Sequence, residues 1–143
     1  MYLDSAILVK LVVREPDSRF YVELVDRRPG ICSSALAVTE CWAALCRKVG
    51  DGHIDRATRD QAWQRLEAVL AADQLRLQPV TLPVLRLANR FIGQCLGGVP
   101  LRTLDAIHLA SCECCGARPL VTNDRVMRQA AELLGVPLGP LPP

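Results

Sequence analysis

The sequence predicts an α/β fold: a single domain over residues 1–143, with a mainly parallel central sheet of four or five short strands covered by helices on both faces. Three observations predict it. Short apolar runs of strand length alternate with longer segments of helical period along the whole chain. The first run passes into a helix without a hairpin turn, "MYLD" being followed at once by "SAILVKLVV", which is how parallel strands are connected. Half of the 143 residues are hydrophobic, enough to bury a sheet on both sides.

"MYLD" reads as a strand ending on Asp4, with Ser5 as the N-cap of a helix over "AILVKLVV". Pro16-Asp17-Ser18 restarts a helix, "RFYVELVDR". "PGICSS" is a second strand, and Ser33 or Ser34 caps the helix "ALAVTECWAALCRKV", which is apolar nearly all round and is ended by Gly50 and Gly52. "DRATRDQAWQRLEAVLAAD" is amphipathic, with Ala62, Leu66, Val69 and Leu70 on its inner side. "LRLQPV" is a third strand, and "LPVLRLANRFIGQCLGG" a helix stopped by Gly97-Gly98. "TLDAIHLASCECC", residues 103–115, is a helix stopped at Gly116. "PLVTND" is a fourth strand running into the helix "RVMRQAAELLG". "VPLGPLPP" supplies a last edge strand and a proline-rich tail over about residues 137–143.

Composition narrows the function. No run of about 18 apolar residues and no basic-led apolar leader is visible, so no membrane partner and a cytoplasmic location are expected. Seven cysteines, an odd number, do not suggest a disulfide framework; reduced, mostly buried thiols are expected. The formal charge is +2, and 15 of the 17 bases are arginine, the side chain suited to bidentate phosphate contacts. Aromatics make up 4%, too few for an evident base-stacking platform.

Acids in apolar surroundings are the informative residues. In the 103–115 helix Leu104, Ile107, His108 and Cys115 share an apolar face, and Asp105 sits at the edge of that arc, beside Leu101, Leu109 and Cys112. Glu40 is the only charge between Gly30 and Arg47. Two strands end on or near an acid, Asp4 and Asp124, and in parallel sheets sites lie at the carboxyl ends of strands. Asp4, Glu40, Asp105 and Asp124 are therefore expected to converge on one cleft. Four carboxylates together raise one another's pKa values. A divalent cation removes that conflict, and oxygen-only ligands suit Mg²⁺ or Mn²⁺. Such a cluster supports phosphodiester hydrolysis. Each acid also has a plainer reading: a turn acid at Asp4, a helix-dipole acid at Asp124, an ion pair of Glu40 with Arg47 or Lys48, and one of Asp105 with Arg102 or Arg118.

The order of these segments resembles the PIN-domain family, most closely the VapC-type toxins of bacterial toxin–antitoxin pairs. "MYLDSAILVKLVVREPDS" is similar to the family's first strand and helix, with Asp4 at its first acid. "SSALAVTECWAAL" is similar to the segment carrying its glutamate, here Glu40. "LRTLDAIHLASC" and "PLVTNDRVMRQAAELLGV" resemble the third and fourth motifs, with Asp105 and Asp124 as their acids. The resemblance implies a Rossmann-like α/β/α fold and a Mg²⁺- or Mn²⁺-dependent endoribonuclease. Asp4, Glu40, Asp105 and Asp124 would hold the metal and orient the attacking water, with Ser5 and Thr122 assisting at the rim. It also implies an RNA substrate, a homodimer and a cognate antitoxin covering the site.

Around the rim Arg14, Arg47, Lys48, Arg102 and Arg125 are candidate RNA phosphate contacts, each near an acid in sequence. His108 stands where the family motif has a core histidine, which implies an internal hydrogen bond; with Cys112 and Cys115 it has spacings that could begin a zinc site, but no second ligand pair appears. His53, in "GDGHID", reads as a surface residue. An aspartyl-nucleophile phosphatase would need a second Asp where Ala6 stands. A catalytically inactive PIN-like binding module and a thiol-based redox sensor built on "CECC" remain as the alternatives from other classes.

Overall fold

In the computed structural model, which describes residues 1–26 and 28–143, the sheet has four strands and every pairing is parallel. The strands are β1 (Tyr2–Leu3), β2 (Ile31–Ser34), β3 (Leu75–Gln78) and β4 (Leu120–Val121), in spatial order β3-β2-β1-β4. Among the described residues seven helices connect and cover them: α1 (Ser5–Val12), α2 (Ser18–Val25), α3 (Leu36–Gly50), α4 (Arg56–Ala71), α5 (Leu82–Cys95), α6 (Thr103–Cys115) and α7 (Arg125–Leu134). The expected α/β architecture is thus present.

Successive strand residues face opposite layers, as a pleat requires. Tyr2 and Leu120 join one apolar cluster with α5, α6 and α7, whereas Leu3 and Val121 join a second with α1 to α4. Both faces are covered, which is why such two-residue strands are purely apolar.

The details shift several expected boundaries. Asp4, not Ser5, caps α1: its backbone is extended and its carboxylate accepts from the Ile7 N–H at 2.8 Å. Aspartate and serine are equally good caps, and the chain turns one residue earlier than expected. For α3 neither serine occupies the cap position, which falls at Ala35; Ser34 Oγ accepts from the Leu36 N–H, and Ser33 Oγ donates across the sheet to Leu3 O. Gly50 is the last residue of α3 and Gly52, just beyond it, takes a left-handed backbone, so the two glycines end the helix as expected. The third strand stops at Gln78 because Pro79 has no N–H to pair. The second helix ends at Val25, and Arg27, the last residue of its expected span, lies outside the described residues. Leu104 is 48% exposed, not packed in the apolar face of its helix.

The fifth strand is reduced to one parallel bridge, Leu120 opposite Leu138. Leu120 N–H donates to Pro137 O and Gly139 N–H to Leu120 O at 2.7 Å, so the start of the proline-rich tail is tied to β4. Glycine is required here by close approach: a Cβ on Gly139 would lie 2.8 Å from a Val121 methyl and 3.4 Å from Leu120 O. Gly139→Ala is expected to destabilise the protein by about 1–3 kcal/mol, the usual cost of overpacking a buried contact. A denaturant melt that left the midpoint unchanged would show that the tail is not held against β4.

Candidate active site

Two neighbouring parallel strands deliver the same device to the same edge of the sheet. β1 ends, Asp4 N–H still reaches Val121 O, and the Asp4 carboxylate caps the helix that follows. β4 ends, Thr122 and Asn123 follow it, and the Asp124 carboxylate caps α7 by accepting from the Met127 N–H at 2.7 Å. Thr122 joins the two: its Oγ accepts from the Asp124 N–H at 3.0 Å, and its hydroxyl bonds the Asp4 carboxylate.

Asp4 is buried, at 3% exposure, and Asp124 is exposed. Burial pushes the Asp4 pKa up. The Thr122 and Ile7 hydrogen bonds and the His108 ring oppose this, the Asp124 charge adds to it, and the net direction is upward. Asp105 lies in the first turn of α6, half-buried. Its pKa is also raised, by burial first and by the charges of Asp124 and Glu40, against the pull of His108 and Arg102.

Glu40 comes from the second turn of α3 and behaves in the opposite sense. Burial alone would raise its pKa, but the His108 hydrogen bond and ring, the Ser5 hydroxyl and the Arg47 charge together bring it down. Its Oε2 lies 2.6 Å from His108 Nε2, and His108 Nδ1 lies 2.8 Å from the Tyr2 hydroxyl. The expected internal histidine bond is therefore a bond to one of the acids.

The four acids are close enough to act on one another, since Asp124 raises Asp4 and Asp105, and Glu40 raises Asp105. The donor set is all oxygen and mutually repulsive, which fits a hard divalent cation. Among the described residues no group of three His, Cys, Asp or Glu side chains is arranged to hold an ion as it stands. Each aspartate cap engages one oxygen with its own helix, and His108 engages Glu40. Of the plainer readings, those of Asp4 and Asp124 hold, since each carboxylate sits at a helix start and caps it. The ion pairs expected for Glu40 and Asp105 are not found among the described residues, because Lys48 pairs with Glu15 at 2.7 Å, Arg118 pairs with Glu113, and Arg47 and Arg102 act only as nearby charges.

The remaining candidates divide. Ser5 bonds Glu40. Thr122 is fully buried between two acids, not at a rim, because it follows directly on the buried β4. Arg47 borders a cleft of about 390 Å³ whose walls include Ser5, Glu40 and Leu104. The exposed Leu104 thus faces this cleft. Arg102 and Arg125 are exposed at the starts of α6 and α7. Arg14 is exposed in a depression with Glu15 and Arg19. Lys48 is committed to Glu15, which also takes Lys10, so it is a poor phosphate contact. His53 is exposed in its loop. A larger cavity, about 650 Å³, opens at the other end of β2 and β3, beside Ile31 and Leu75, and none of the four acids lines it.

The zinc arrangement does not form, because His108 is taken by Tyr2 and Glu40 and the Cys112 thiol donates to Ala117 O. All seven cysteines are free. Burial pushes the Cys112 thiol up to about 12. Cys115 departs from the expected pattern: hydrogen bonding to Cys32 and the Arg76 charge hold it below the ordinary thiol range.

The PIN domain model matches residues 1–133 of this sequence. The chain belongs to the PIN-domain family. Ribonuclease VapC46 of Mycobacterium tuberculosis is 36% identical over 140 residues, covering 95% of this chain and 93% of its own. Ribonuclease VapC47 of the same species is 32% identical over 111 residues, covering 78% and 73%. Two solved structures share the PIN fold at low identity. VapC20 of Mycobacterium tuberculosis, described as a toxin cleaving the sarcin-ricin loop, gives a TM-score of 0.70 at 17% identity, over 90% of this chain and 93% of its own. VapBC2 of Rickettsia felis, bound to a fragment of promoter DNA, gives 0.68 at 15% identity, over 96% of each chain.

Proposed function

We propose that this chain is a VapC-type toxin, an endoribonuclease that hydrolyses RNA phosphodiester bonds with Mg²⁺ or Mn²⁺ at Asp4, Glu40, Asp105 and Asp124. The observation that supports the reading is that acids set far apart in sequence feel one another's charge, Asp124 raising the pKa of Asp4 and Asp105, and Glu40 that of Asp105. The relatives named as ribonucleases, at up to 36% identity over nearly the whole chain, support the reaction class. A cognate antitoxin as partner is supported by the VapBC2 neighbour. A homodimer and a cytoplasmic location belong to the same reading.

A divalent cation bound here would lower the pKa of a water and stabilise charge on the phosphate oxygens. Asp4 and Asp105 would form the less solvated floor, where repulsion is strongest and a cation most favoured. The exposed Asp124 would orient the attacking water at the open side. Thr122 keeps Asp4 and Asp124 in register, and Ser5 with His108 holds Glu40. Arg47 and Arg102, each beside one acid, would grip the flanking phosphates.

The test is RNA cleavage by the purified, antitoxin-free chain with Mn²⁺ or Mg²⁺, with EDTA, and with Asp105→Asn and Arg47→Ala. EDTA and Asp105→Asn are expected to abolish cleavage. Arg47→Ala is expected to weaken RNA binding and flatten its salt dependence by about one unit in the log–log slope. Cleavage that persists in EDTA or in Asp105→Asn would remove the acidic cluster from the reaction.

A further inference from the structure

Glu40 does not reach its place by α3 alone. It is held by a polar chain that runs through the core: Tyr2 hydroxyl to His108 Nδ1 at 2.8 Å, then His108 Nε2 to Glu40 Oε2 at 2.6 Å. Tyr2 is fully buried and His108 is 1% exposed, and their rings pack edge to face with centroids 6.0 Å apart. The two sit on different elements, the first strand and the middle of α6, 106 positions apart. Buried polar groups are retained where each is satisfied, and here each ring nitrogen meets one partner.

The order of donors follows from the far end. A carboxylate only accepts, so the nitrogen facing Glu40 must carry hydrogen. When that is the ring's one hydrogen, Nδ1 presents a lone pair and the Tyr2 O–H is placed to donate to it. We infer that Tyr2 and His108 are positioning residues: the Tyr2 hydroxyl selects the Nε2–H tautomer of His108, and that N–H clamps one oxygen of Glu40 so that the carboxylate is oriented before a cation or RNA arrives. The Ser5 hydroxyl bonds the same carboxylate, so Glu40 is gripped by donors from α6 and α1. This inference rests on the reading of Glu40 as one of the four metal-binding acids. Outer partners that orient a ligand in this way affect metal affinity and activity by about 10–100-fold when removed.

The experiment uses the full-length protein and four variants, Tyr2→Phe, His108→Leu, His108→Gln and Glu40→Gln. Ring ¹⁵N NMR of the metal-free wild type is expected to show His108 as the neutral Nε2–H tautomer, and Tyr2→Phe to shift it toward a mixture. An Nδ1–H tautomer, or a ring with hydrogen on both nitrogens, in the wild type overturns the inference without any activity assay. His108→Leu, which fills the space without a donor, is expected to weaken Mn²⁺ binding in calorimetry and RNA cleavage by about 10–100-fold. His108→Gln, whose amide N–H stands in for Nε2–H, is expected to recover most of both. If His108→Leu does not fold, the Gln and Phe variants and the tautomer still decide: wild-type tautomer and metal affinity in Tyr2→Phe count against the clamp. Glu40→Gln separates the two levels. If it leaves metal binding and cleavage intact, the reading of Glu40 as a ligand fails. If it abolishes them while a folded His108→Leu remains unchanged, only the clamp fails.

Discussion

Asp4→Asn is expected to lower RNA cleavage by about three orders of magnitude and, in EDTA at neutral pH, to raise the melting temperature. The loss follows from removing a charge the cation needs, an effect of several kcal/mol. The gain follows from the same burial. Asp4 is 3% exposed and its pKa is raised by that burial and by Asp124. A carboxyl whose folded pKa lies above its unfolded value, near 3.8, stabilises the fold most below that value. The benefit is lost as pH rises through the folded pKa. Wherever this carboxyl is ionised in the folded protein it is a destabilising charge that asparagine lacks. Asparagine also caps helices as well as aspartate does, so the bond to the Ile7 N–H survives. The stability advantage of the variant should shrink as pH falls toward 4, because the wild-type carboxyl then becomes neutral too. Thermal melts across pH check this. A variant that melts below the wild type at neutral pH in EDTA would show that Asp4 is stabilised as an anion and would contradict the burial argument.

The same residue shows why some of the fold was readable and some was not. Local rules suffice where a choice is made by neighbours in sequence. The α6 helix was expected at residues 103–115 and is found there, because its apolar period runs unbroken to Gly116, which takes the left-handed backbone that ends it. The four acids stand out in the sequence because charges set in apolar segments need a reason. The cap of α1 was misplaced by one residue, since Asp4 and Ser5 satisfy the same local rule and only the sheet register decides between them. Partners across the fold were not legible at all. Lys48 was expected near RNA but is held by Glu15, 33 positions earlier. His108 meets Glu40 68 positions away, and nothing in the period of α6 announces a partner on α3. A signal was present, a histidine one turn after Asp105 on a wholly buried stretch, but it names a need for a bond and not who supplies it. Leu104 illustrates the reverse: by period it belongs to the apolar face, yet at the first turn of α6 that face opens onto the cleft beside Glu40 and Arg47.

Millimolar Mn²⁺ or Mg²⁺ should raise the melting temperature of the wild type by about 5–10 °C. A ligand that binds only the folded form at one hundred times its dissociation constant adds about 2.7 kcal/mol, and each kcal/mol moves the midpoint of a chain of this size by about 2–4 °C. Only the folded chain brings Asp4, Glu40, Asp105 and Asp124 together, since they are spread over residues 4 to 124. The shift must depend on pH in a definite direction. Asp4 and Asp105 have raised pKa values, so protons compete with the cation there sooner than at ordinary carboxylates as the solution is acidified. The cation-induced shift should therefore fade on acidification while Glu40, whose pKa is lowered, is still ionised. Asp105→Asn should remove most of the shift at neutral pH. It should also raise the cation-free midpoint, because it relieves the repulsion Asp105 feels from Asp124 and Glu40. These two changes have opposite signs on the stability of the same variant, and general damage to the fold produces only one of them. A cation-induced shift of wild-type size in Asp105→Asn would place the ion elsewhere. No shift in the wild type with either cation would mean that the four acids do not gather round one, and that their mutual repulsion is relieved by protons instead.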